Sequence, residues 1–307
     1  MFKVPFEISK IANLQKALSV FIIFIFMSIV FVILSSLLFG ISPSIQNMAM
    51  LKGADVTSVL FSGSLVAVIG SFLLCILNKS DLKASKKELF YFFLAGLMIF
   101  VTDLFLPLAY TKMPVGLVTA IHFTYPTIVC LLGVLLFHEA FSIKRLLAIV
   151  LSIAGLILLN QGDVSYDLSG IFYALVSAVS YACCLSIVDH SLIQNADPNT
   201  KSFYIFLTAT VLTLLLNGGD LPSSFKSAEP LPYLILAGVM LLLGNLFLIK
   251  GISGLGSTVA AFISTLEPIT SLLFSNLLYH YELPLLTVIG SFLIILSLIP
   301  IIHEKVG

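Results

Sequence analysis

Asp103, His122 and Glu267 are ionisable side chains set inside long apolar runs. An Asp at the centre of a bilayer costs ~2.5–3.5 kcal/mol even on the mildest insertion scale, so such residues are kept for chemistry or for a partner. Asp103 and His122 lie on two runs joined by the short turn YTKMPVG at 110–116. Their depths match at roughly 6 Å outward from the middle, which predicts that they meet. Because His titrates near neutrality, the pair could contact a substrate or carry a proton, or the two could satisfy each other and lock a helix hairpin. A second constellation is the stretch AAFISTLEPITSLLF, with Glu267 at its middle and Ser264 and Ser271 at i−3 and i+4 on one helical face. That polar stripe predicts a face turned to protein or water rather than to lipid. Pro268 removes one backbone hydrogen bond and predicts a kink, whose freed carbonyls would serve a transport site or a bend alone.

The elements that must position these groups are membrane helices. The chain of 307 residues is 59% hydrophobic and only 10% charged, against about 25% charged in soluble domains, and its mean hydropathy is +1.15. Zero net charge gives nucleic acid no electrostatic basis for binding, and no GxxxxGK stretch cradles a nucleotide phosphate. No HExxH or nucleophile elbow is present, so an enzyme, a metal centre and a cofactor are not expected. Cys75, Cys130, Cys183 and Cys184 lie in apolar runs and read as small hydrophobes.

An internal repeat organises the chain. YFFLAGLMIFVTDLFL at 91–106 recurs as YLILAGVMLLLGNLFL at 233–248, an offset of 142, with eight of sixteen positions identical. Asp103 falls on Asn245, Tyr125 on Glu267, and Pro126 on Pro268. Spans of about 20 apolar residues predict an all-α membrane protein with ten helices, at 28–51, 56–77, 88–110, 115–137, 143–160, 170–193, 199–217, 231–252, 256–279 and 284–303. Five spans per copy is odd, so the second copy enters from the opposite side and the repeats are inverted. With the N-terminus inside, twelve Lys and Arg fall on that side and three on the other, which places both termini in the cytoplasm. The expected units are an N-terminal cytoplasmic or interfacial extension at 1–27, a first repeat at 28–165 and a second at 166–307. Inverted repeats are the mark of secondary transporters, with substrate bound near the midplane where the copies meet.

Small residues at i+4 (Ser36, Gly40 and Ser44, with repeat mates Ala178, Ala182 and Ser186) predict close helix contacts. Tyr181 and its mate Phe39 adjoin this seam and could instead line a cavity. Glu139 and Glu282 follow span ends after His138 and His280 and read as caps; Asp189 and His190 sit near a cytoplasmic end, and Lys250 can snorkel.

The order of LFGISP (38–43), VTAIHFTYPTIVCLLGVLLFHEAFSIKRLLAIVLSIAGLILL (118–159) and STVAAFISTLEPITSLLFSNLLYHYELPLLTVIGSFLIIL (257–296) resembles the EamA family of the drug/metabolite transporter superfamily. The resemblance covers about 28–303 in two tandem domains. It implies a ten-helix fold of inverted five-helix halves, a central cavity, and alternating access for amino acids, other metabolites or drugs, often exported. Glu267-Pro268 matches a family pattern, whereas Asp103 and His122 match none. Phe39 stands where the family has a tryptophan beside Gly40.

The expected function is secondary transport of a small amine-bearing metabolite or drug across the plasma membrane, coupled to protons or to exchange. One rival is a facilitator for a nucleotide-type or phosphorylated solute, which would want Lys or Arg in the cavity. Another is a non-transporting sensor or scaffold. Expected partners are the small-molecule substrate and membrane lipids, with a homodimer left open.

Overall fold

The computed structural model describes residues 4–113, 115–140, 142–159, 167–222, 228–279 and 285–306. His280, Glu282 and most of the link between the repeats, 160–166, lie outside the described residues, as do Lys3 and Lys226. Twelve helices and no strand are found among the described residues: α1 (Val4–Leu51), α2 (Val56–Asn78), α3 (Lys86–Tyr110), α4 (Val115–His122), α5 (Tyr125–Phe137), α6 (Ile143–Leu159), α7 (Leu168–His190), α8 (Pro198–Leu216), α9 (Leu231–Leu255), α10 (Ser257–Ile263), α11 (Leu266–Tyr279) and α12 (Leu285–Val306).

Eight stretches are long and apolar enough to cross a membrane, α4 with α5 and α10 with α11 each forming one of them. The predicted fifth span corresponds to α6, of 17 residues, and the tenth to the shorter apolar stretch Leu285–Ile301 of α12. The first span does not start afresh at Ser28: α1 is one unbroken helix of 48 residues. At 1.5 Å per residue that is ~72 Å, more than twice a ~30 Å hydrocarbon core.

Polar caps punctuate the apolar runs. The Asp55 carboxylate accepts from Ser58 N–H at 2.7 Å to start α2. Ser85 and Glu88 close a reciprocal capping box on α3. Asp197 with Pro198 at the first turn starts α8.

Packing follows the repeat. α1 packs on α9 as α3 packs on α7, α2 on α9 as α8 on α3, and α1 on α11 as α7 on α5; α2 with α8 and α6 with α12 are pairs that the 142 offset maps onto themselves. The closest approaches obey the same rule. A Cβ on Gly96 would meet Thr208, and one on Gly238 would meet Val66; 96 and 238, like 66 and 208, are 142 apart. The buried centre is lined by small residues such as Ala95, Ala178, Ala182, Ala260 and Ala261, which lets the helices that carry the polar groups come together.

Candidate solute site at two helix breaks

The fourth and ninth predicted spans are each interrupted for two residues just before their prolines. In the first, α4 ends at His122 and α5 begins at Tyr125; in the second, α10 ends at Ile263 and α11 begins at Leu266. Pro126 and Pro268 have no N–H to donate to the carbonyls of His122 and Ser264. In addition, Thr124 turns its N–H (3.1 Å) and its hydroxyl (2.7 Å) onto the carbonyl of Ile121, three residues back. Thr265 does the same to Phe262, at 3.1 and 2.7 Å. These i−3 bonds close the first half-helix early, and the second restarts where a proline is tolerated.

The breaks bring polar groups into the interior without partners. The Tyr125 hydroxyl, the Ser264 hydroxyl and Glu267 Oε1 are buried with no partner in good hydrogen-bonding geometry, the Tyr125 and Ser264 hydroxyls being near neighbours of each other. Tyr125 is 0% exposed and Ser264 1%. The Tyr125 hydroxyl lies beside Ser264 and within electrostatic reach of Glu267, as do Tyr110 and Tyr181. Ser271 sits one turn beyond Glu267 on α11, half-buried.

Aromatic rings wall this space. Tyr125 and Tyr181 meet edge to face with centroids 4.7 Å apart and planes at 83°. His122 lies 5.5 Å from Tyr125 and 5.7 Å from Tyr181. The expected Asp103–His122 bond is not formed. His122 Nδ1 is 3.0 Å from Ser177 Oγ, and the Ser177 hydroxyl proton goes to the Ala174 carbonyl at 2.7 Å. Ser177 has one proton to give, so Nδ1 of His122 carries the hydrogen and Nε2 keeps its lone pair. The spacing argument fixed depth but not azimuth, and α7, packed against α3 and α4, supplies a closer partner. Asp103 is half-buried, makes no hydrogen bond among the described residues, and acts electrostatically on Tyr181 and Cys184.

Asn245, the repeat mate of Asp103, is placed elsewhere. Its Nδ2 donates to Ser202 Oγ at 3.3 Å, and Ser71 donates to the same oxygen at 2.8 Å, tying α9, α8 and α2 together. Asn245→Leu is therefore expected to lower the melting temperature by the worth of about one buried hydrogen bond, ~1 kcal/mol, while leaving solute affinity unchanged; thermal melts beside binding titrations check this.

Lys112 and Lys250 are exposed at helix ends, Lys250 with its Nζ 5.6 Å from the Phe31 ring centroid, so neither cation reaches the broken helices. Among the described residues one trio, Glu139, Asp189 and His190, has ligand atoms within 4.8 Å of one another. Both Glu139 oxygens are already engaged, by Arg145 and Thr258 on one side and His190 on the other, and Asp189 accepts from Ser257 N–H. The trio is thus already tied up as an ionic and hydrogen-bonded cluster.

The fold and its interior thus define a polytopic helical membrane protein with a polar centre built at two helix discontinuities. The profile of the EamA-like transporter family matches residues 15–161 and 168–302, and the chain belongs to that family. It is 23% identical over 205 residues to an uncharacterized transporter of Archaeoglobus fulgidus, covering 67% of this chain and 72% of that protein. It is 24% identical over 222 residues to an uncharacterized transporter of Synechocystis sp., covering 69% of this chain and 66% of the relative. One solved crystal structure superposes with a TM-score of 0.73 over 91% of this chain and 97% of its own, at 13% identity, which speaks for the fold alone.

Proposed function

We propose that this membrane transporter moves a small amine-bearing organic solute by alternating access, with ten membrane-crossing elements in two inverted halves and the solute bound between the two broken helices. The observation that carries this reading is the meeting of three buried, unpartnered polar atoms, on Tyr125, Ser264 and Glu267, at the two breaks. Packing partners that exchange under the 142 offset support a scaffold able to rock about that point.

An ammonium group suits the site better than an anion. A buried carboxylate without a counter-charge carries a desolvation penalty of several kcal/mol, which either a proton or a cation relieves. The rings of Tyr125 and Tyr181 add attraction for a cation over their faces. A proton and an ammonium then compete for Glu267, which couples solute movement to proton movement or to exchange of one amine for another. Asp103, within electrostatic reach of Tyr181, adds a second acidic group, and His122 donates through Nδ1 to Ser177 while offering Nε2 as an acceptor.

The test is solute binding and flux with purified protein. A panel of metabolites is screened by thermal shift at about pH 6 and about pH 8, then by flux in proteoliposomes. Amines are expected to raise the melting temperature and to do so more strongly at the higher pH, where protons compete less; their deaminated analogues are expected to do neither. Stabilisation by phosphorylated solutes alone would overturn the assignment.

A further inference from the structure

At one end of the bundle, away from the helix breaks, lies a connected set of charges. Arg145 Nη1 donates to Glu139 Oε2 at 2.7 Å and its Nε donates to Glu304 Oε1 at 2.9 Å. His190 Nε2 lies 3.1 Å from Glu139 Oε1, and the Thr258 hydroxyl donates to Glu139 Oε2 at 3.2 Å. The Asp189 carboxylate accepts the Ser257 N–H at 2.6 Å. Lys144 Nζ and His303 Nδ1 lie 2.9 Å apart. The His190 ring stacks on Phe137 with centroids 4.1 Å apart. These bonds join the α5–α6 link, α6, the end of α7, the start of α10 and the end of α12, so five separate elements are held at one point.

The charged side chains are mostly covered: 14% exposed for Arg145, 24% for Glu139 and 18% for His190. Burial by itself would raise the Glu139 carboxyl, but the Arg145 guanidinium and His190 outweigh it and hold it below the usual carboxylate range. Glu139 therefore keeps its charge at neutral pH.

Moving 142 residues from Glu139, Arg145, Asp189, His190 and Glu304 gives Tyr281, Thr287, Asn47, Met48 and Gly162. Of these, Asn47, Met48 and Thr287 are described and uncharged, so the tie is not repeated through them at the same offset; 281 and 162 lie outside the described residues. We infer that the Glu139–Arg145–Glu304 set, with His190, is the latch that keeps this end of the solute pathway shut, so that opening this end requires the ion pairs to part. The latch rests on the alternating-access reading above.

The chain contains its own reporter. Cys130, on α5, is 1% exposed and sits within reach of Arg145, Glu139 and Glu304. In a protein with Cys75, Cys183 and Cys184 replaced by Ser, the labelling rate of Cys130 by a membrane-impermeant maleimide is measured from each face in vesicles of defined orientation. Glu139→Gln and Arg145→Gln are each expected to raise the rate from the latched face about tenfold, the ratio that corresponds to ~1.4 kcal/mol, and to leave the other face unchanged. Unchanged labelling in both variants would overturn the latch. Equal increases from both faces would also overturn it, by showing that the cluster only staples the bundle together. This readout needs no solute, so a protein that fails to move amines but shows one-sided labelling removes the solute assignment and leaves the latch, and the reverse outcome does the opposite.

Discussion

Glu267→Gln abolishes amine-induced stabilisation and reduces amine flux at least thirtyfold. Removing one partner of a buried hydrogen-bonded charge pair costs about 2–5 kcal/mol of binding, and 2 kcal/mol is already a factor of about 30. The substitution keeps the volume and replaces one buried oxygen that has no partner in the solute-free protein, so the fold loses no contact. The melting temperature without solute should therefore hold or rise, because an unpaired buried carboxylate is itself destabilising. Flux in proteoliposomes beside melts with and without the amine separates these effects. A variant that melts as wild type and still transports would remove Glu267 from the site. Tyr125→Phe tests the same wall with a smaller loss, since it deletes only the unpartnered hydroxyl.

Gly40→Val damages both stability and transport. A Cβ on Gly40 would lie 2.5 Å from Thr270 Cβ and 2.7 Å from the Glu267 carbonyl oxygen. The second neighbour is backbone and cannot swing aside, so α1 must move away from α11. Overpacking of this kind costs about 1–3 kcal/mol. Here the displaced element is the half-helix that begins with Leu266 and carries Glu267. A melting temperature lower by several degrees together with lost flux is expected; an unaltered melt would show that α1 does not press on α11 this closely. The small-residue seam of the first span thus lets α1 approach the backbone of the half-helix that carries Glu267.

The 142 offset in the sequence carries much of this arrangement. It aligns Tyr125 with Glu267 and Pro126 with Pro268, and these pairs stand at matching places in the two broken helices. It also maps Gly96 and Thr208 onto Gly238 and Val66, two contacts that are 142 residues apart at both members. Other features were not legible for definite physical reasons. Proline reports a missing hydrogen bond but not whether a helix bends or stops; the i−3 bonds of Thr124 and Thr265 decide that, and they are local choices of hydroxyl and amide. Depth along a span says nothing about azimuth, so Asp103 and His122 were matched in height while Ser177, 55 residues further on, took the histidine. Glu139 and His190 each read as an ordinary span end, because nothing in a one-dimensional pattern brings residues 139 and 304 to a common arginine.

The most direct test of the account is an experimental structure of the protein with an amine that stabilises it. The ammonium nitrogen is expected at charge-assisted hydrogen-bond distance, ~2.7–2.9 Å, from the Glu267 carboxylate, flanked by Tyr125 and Tyr181 and with Ser264 and the Tyr125 hydroxyl newly bonded. An amine bound elsewhere, with Glu267, Tyr125 and Ser264 still unpartnered, would contradict it.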